Sequence, residues 1–122
     1  MRARLAMLLA AGALGACAGT GGFPKTQDAG PAIAAAERAI TDAQSAGADT
    51  LAAGVMKDAR MHLEAARSQL SLRKTGEAEM HAREATADAR FARATALQLT
   101  AERGRTEAQS ALSALPPEEE NR

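Results

Sequence analysis

Aromatic side chains are nearly missing from this 122-residue chain, which has two phenylalanines, no tyrosine and no tryptophan. Without them a core has to be assembled from aliphatic groups, and much of the apolar fraction here is alanine, which buries little area per residue. A large globular core is thereby excluded, and thin helices packed closely through alanine faces are the economical solution. Net charge is lacking too: 15 basic residues balance 15 acidic ones. The two signs alternate without a basic cluster to track phosphates, which argues against nucleic-acid binding. Cysteine occurs once, so neither an intrachain disulfide framework nor a multi-cysteine metal centre is available. No glycine-rich loop cradles a phosphate, and the serines at 45, 68, 71, 110 and 113 sit in no nucleophile elbow. His62 and His81, the two histidines, fall on different predicted helices without metalloprotease spacing; two histidines across a hairpin hold zinc only weakly, since a site needs three or four ligands, and they read as solvated polar-face residues. No catalytic residue, metal site or cofactor is expected, and the chain reads as a non-enzyme.

What the chain has in quantity is alanine at helical spacing. Ala78, Ala85, Ala92 and Leu99 recur every seven residues, with Ala82, Ala89 and Ala96 interleaved. This 3-4 spacing of small groups on the best helix-forming residue predicts a long helix from Glu77 to Leu99, extending toward Leu115, whose seam needs partner helices. A first helix is expected near Asp28 to Pro31, with Asp28 as N-cap, Pro31 in the first turn and Gly47 as C-cap. Its stripe is Ala29, Ile33, Ala36, Ile40 and Ala43. A second helix, capped by Asp49 or Thr50, carries Ala52, Met56, Ala59, Leu63, Ala66 and Leu70, so that large and small layers can interdigitate. Lys74-Thr75-Gly76 is expected to close it, with Gly76 in the left-handed turn. Short links make successive helices antiparallel neighbours. The fold class is therefore all-α: an antiparallel helical hairpin with a shorter first helix along it, in alanine-rich coiled-coil-like packing. An oligomeric coiled coil is the rival arrangement, and a disordered alanine-rich spacer a third. Gly104 is a point of fraying or bending, and Pro116-Pro117 ends the last helix.

The N-terminus speaks to location. Arg2 and Arg4 precede the apolar run Leu5 to Leu14, followed by the small residues Gly15 and Ala16 and then Cys17. A short positive region, about ten apolar residues and a small-residue cleavage point describe a secretory signal peptide, too short for a membrane span of about 20 residues. Leu14-Gly15-Ala16-Cys17 resembles the bacterial lipobox, in which cleavage falls just before a cysteine that carries acyl chains. That resemblance implies a mature chain beginning at a lipidated Cys17 and held by several acyl chains. Ala18, in place of aspartate after the cysteine, implies sorting to the outer membrane, with the chain facing the periplasm. The expected organisation is a signal peptide over 1–16, a lipidated glycine-rich tether over 17–27, a helical domain over 28–115 and an acidic tail over 116–122.

A weaker apolar stripe of Met80, Ala87, Phe91, Ala94 and Leu97 lies away from the alanine seam. It has two readings: it is covered by the first helix, or it is a surface for an envelope protein or self-association, with Met80, Phe91 and Leu97 as its large groups. The whole pattern is similar to a family of alanine-rich bacterial envelope lipoproteins whose domain is of unknown function, number 4398. The residues carrying the resemblance are the lipobox, Ala36-Glu37-Arg38-Ala39-Ile40, Gly47-Ala48, Ala65-Ala66, Gly76-Glu77 and Asp88-Ala89-Arg90. Relatives often have an aromatic and a proline after the first glycine break, where this chain has Asp49, Thr50 and Leu51. The resemblance implies envelope association and supplies no reaction or cofactor. The expected function is that of a membrane-anchored structural or scaffolding module binding an envelope partner. A periplasmic adaptor or chaperone-like protein holding transient clients is the alternative.

Overall fold

A computed structural model describes residues 28–116, and nearly all of that span is in four helices: α1 (Gly30–Ser45), α2 (Ala48–Leu51), α3 (Ala53–Ser71) and α4 (Thr75–Ser113). No strand occurs among the described residues, and the fold is all-α. The segments expected to be a signal peptide, a lipobox (Leu14, Gly15, Ala16 and Cys17) and a tether, and the acidic tail beyond Pro116, lie outside the described residues.

Each helix end is set by local chemistry, and three of them differ from expectation. At the start of α1 the capping position is Ala29 rather than Asp28, and the Asp28 carboxylate accepts the Gly30 N–H at 2.8 Å from one residue further out. Pro31 sits in the first turn, where its missing N–H has no helical duty. Gly47 ends α1 as expected: its φ of +79° is left-handed, and its N–H donates to the Gln44 carbonyl at 2.9 Å. The chain then makes the single turn α2 before Ala52, at φ −139°, breaks it. The long second helix thus starts at Ala53, and neither Asp49 nor Thr50 caps it. Asp49 instead pairs with Arg60 of α3, while Ala48 and Ala52 are buried and seat the short turn in the core.

The α3–α4 junction also moves. Gly76 lies inside α4, and the left-handed residue is Arg73, at φ +59°. Lys74 N–H donates to the Gln69 carbonyl and Arg73 N–H to the Leu70 carbonyl, each at 2.9 Å. This reciprocal pair is a Schellman motif, formed with arginine where glycine is usual.

α4 is the spine. α3 packs along it as the other arm of a hairpin, α1 also lies along it, and α1 and α3 touch each other far less. Ala78, Ala82, Ala85, Ala89, Ala92 and Ala96 are all fully buried, so the alanine seam is the helix face covered by its neighbours. Those neighbours bring the bulk: Ile33 and Ile40 from α1, Met56 and Leu63 from α3. Small groups on the central helix let two outer helices approach it at once, and larger groups from outside fill the layers.

α4 has 39 residues and is about 58 Å long at about 1.5 Å per residue. It runs through Gly104 without interruption and outreaches its partners, with every residue from 100 to 116 exposed. Its chemistry changes at the same point. The positions continuing the seam past Leu99 are Arg103, Thr106, Ser110 and Ser113, all polar.

Candidate functional site

The apolar stripe on the outer side of α4 is not covered by α1. Met80 is 50% exposed, Phe91 63% and Leu97 49%, which overturns the reading that α1 buries them. A line of Met80, Ala87, Ala94, Ala101 and Ala108 follows at seven-residue spacing, all exposed, so it stays on one side of the helix. Phe91 and Leu97 flank Ala94 by one turn, and Leu112 lies one turn beyond Ala108. From Met80 to Leu112 this outer face runs about 48 Å, well past the end of the three-helix contact. The regular part beyond Leu97 was readable in the sequence as the same seven-residue period, offset by two from the buried seam. Glu84, Gln98 and Arg105 interrupt the line's larger flank and keep the face amphipathic.

Charge links α1 to α3. Arg67 of α3 donates to Glu37 of α1 at 2.8 Å and also to Glu64 on its own helix. These hydrogen bonds, that to Glu37 first and then that to Glu64, hold the guanidinium above its ordinary pKa. A raised folded-state value stabilises the fold below the usual arginine range and is lost only at still higher pH. The guanidinium side of this link therefore contributes no pH dependence near neutrality. The groups are about half exposed, which limits such pairs to about 0.2–1 kcal/mol. Arg83 pairs with Glu79 on α4.

The two histidines meet in the groove between α3 and α4. His62 Nδ1 lies 2.8 Å from Asp88 Oδ2, and His81 Nδ1 lies 2.9 Å from Glu84 Oε2. The rings stack with centroids 6.2 Å apart and planes inclined by 20°. His62, His81 and Asp88 are half-buried and Glu84 is exposed, and the two rings stand side by side rather than separately solvated on their own helices. The reason is register. With the chain reversing at Arg73, His62 falls opposite Glu84 to Asp88, and a fold of the sequence about that turn would have shown it.

No helix among the described residues is long and apolar enough to cross a membrane. A shallow depression beside Leu99, Glu102, Arg103, Thr106 and Glu107 has only α4 as its wall, which leaves a small molecule nothing to be enclosed by. The model of one protein family, DUF4398, a domain of unknown function, matches residues 31–114. That span takes in every helix except the first residue of α1. No curated protein and no solved structure matches the chain.

Proposed function

We propose, starting from the fact that the chain belongs to the DUF4398 family, that it is a non-enzymatic envelope lipoprotein. In this reading acyl chains on Cys17 fix it to the outer membrane, and residues 17–27 give reach into the periplasm. The helical domain presents the outer face of α4 to an envelope partner. The observation that carries the reading is the exposure of Met80, Phe91 and Leu97 on a rigid helix whose opposite face is fully occupied by α1 and α3. Large apolar groups aligned on one side of a small domain favour a protein surface as their cover. The positive N-terminus, the apolar run and the lone cysteine in lipobox register support the anchor.

Photo-crosslinking from Met80, Phe91 and Leu97 in living cells tests the partner. Stoichiometric capture of one envelope protein, or of a second copy, is the expected result. Capture of many unfolded chains would favour the chaperone-like alternative, and no capture would remove the surface. Labelling with radioactive palmitate tests the anchor separately: incorporation abolished by Cys17→Ser is expected, and an unlabelled, freely soluble wild-type chain would overturn it.

A further inference from the structure

We propose that the turn Leu72-Arg73-Lys74 is a membrane-docking surface, seated on the anionic phospholipid headgroups of the bilayer that holds Cys17. This inference rests on the anchored reading above and adds which end of the bundle meets the lipid.

The entry point of the chain sets the geometry. The ion pairs Asp49–Arg60 and Glu37–Arg67 step back toward the start of α1 while they step forward along α3, so the two helices run antiparallel. Glu37 is seven residues beyond Gly30, and Ser71 is four beyond Arg67. The start of α1 and the end of α3 thus lie about 10 Å and about 6 Å from the level of the Glu37–Arg67 contact, on the same side of it. Whatever precedes Asp28 joins the bundle at the level of the α3–α4 turn, and the extension of α4 leaves from the opposite end.

The turn carries the groups a lipid surface takes. Leu72 caps the end of α3 and is 62% exposed. Arg73 and Lys74 follow it, both exposed. A leucine flanked by cations suits the interface, because the apolar group enters the acyl boundary while the charges stay at the level of the phosphates. The two acidic residues nearest this end are engaged: Asp28 accepts the Gly30 N–H at 2.8 Å, and a Glu77 oxygen lies 4.0 Å from Lys74 Nζ. The Arg73 guanidinium pairs with no carboxylate among the described residues.

Arg73 is also the one non-glycine residue among the described residues with positive φ, at +59°. Glycine would close the same turn with less strain. Strained residues of this kind cluster at binding and switching sites, where the side chain is needed for something other than the fold. Weak contacts suffice here. A flexible tether of the eleven residues 17–27 spans about 18 Å r.m.s., which keeps the turn at high effective concentration near the headgroups. Docked by this turn, the bundle stands on end, and α4 carries its outer face and its extension away from the lipid.

The test takes the chain from Cys17 onward, which keeps every described residue, and couples its one thiol to a maleimide-bearing lipid in nanodiscs rich in phosphatidylglycerol. The anchor is then chemical, so the result does not depend on acylation in the cell, which palmitate labelling decides. Gadolinium chelated at the headgroups broadens amide NMR signals according to distance. Amides from Ser71 to Gly76 should broaden strongly and those from Arg105 to Ser113 hardly at all. Leu72→Ser should lower the ratio of docked to undocked chains, read from that broadening, about tenfold. Arg73→Gly should lower it about fivefold, and nanodiscs of phosphatidylcholine alone should show a similar loss. Because Arg73→Gly relieves strain, its loss of docking cannot be ascribed to misfolding, and circular dichroism checks the fold of Leu72→Ser. Broadening at the turn that both variants and neutral lipid leave unchanged would overturn the surface, as would broadening strongest from Met80 to Leu112 with α4 lying flat.

Discussion

Two residues do the same conformational work at the two ends of the bundle, and only one of them is suited to it. Gly47 and Arg73 both turn the chain with positive φ, at +79° and +59°. For a residue with a Cβ the left-handed region costs about 1–2 kcal/mol, which glycine avoids while losing about 0.5–1 kcal/mol more to unfolded-state entropy. Arg73→Gly should therefore stabilise the protein by about 0.5–1 kcal/mol, read as a higher urea midpoint at unchanged slope. Gly47→Ala should destabilise it by about 1 kcal/mol. A Cβ there would meet only Leu51 at 3.9 Å, an ordinary contact, so the cost is conformational rather than steric. The same comparison explains why the second turn was misplaced from sequence. Gly76 carries the left-handed signal, but the hydrogen-bond geometry closes three residues earlier, and arginine at 73 gives no hint of it.

At the scale of the helix, the period of alanine made α4 legible from its residues, because a seam of small groups needs covering and only one azimuth provides it. The stripes of α1 and α3 were legible for the same reason. α2 was not, since a four-residue turn ended at Ala52 has no periodicity to detect. Nor could the covering of Met80 and Phe91 be decided, because two outer helices packed on one central seam leave its far side bare. One substitution made at two places on α4 separates the seam from the overhang. Ala89 is fully buried among side chains of the neighbouring helices, and inserting a leucine there overpacks the contact, at about 1–3 kcal/mol or more. Ala108 lies in the exposed extension, where the same change should stay within about ±0.5 kcal/mol. Denaturant unfolding of Ala89→Leu and Ala108→Leu checks the contrast. Equal losses in both would mean that the extension is packed against something in solution, as self-association through the outer face of α4 requires.

For the whole molecule, the consequence of one helix outreaching its partners is a gradient of stability along its length. Helix termini open locally at far less than the global free energy unless tertiary contacts hold them. Up to Ala96 the backbone of α4 is locked by a buried seam, and its amides should exchange only with global unfolding. Beyond Thr100 no side chain is buried, and a stretch of about 13 residues depends on intrinsic propensity alone, which is marginal for that length. It survives because the nucleus is already formed by the packed half, so each residue adds only its propagation step. Gly104 is the weak step, costing about 1 kcal/mol relative to alanine in an exposed helix interior, and an added Cβ would meet nothing within 4 Å. Gly104→Ala should thus slow hydrogen exchange by up to about fivefold at amides from Ala101 to Glu107, because fraying inward from the C-terminus must unwind residue 104 to expose them, whereas amides from Ala108 to Ser113 open without it and should not change. The midpoint of global unfolding and the exchange of amides from Ala78 to Ala92 should stay unchanged. If the substitution instead stabilised both halves equally, the extension would be part of the cooperative core. The outer face of α4 would then be rigid over its full length without a partner, rather than firm beside the bundle and labile at the end where Leu112 waits for a cover.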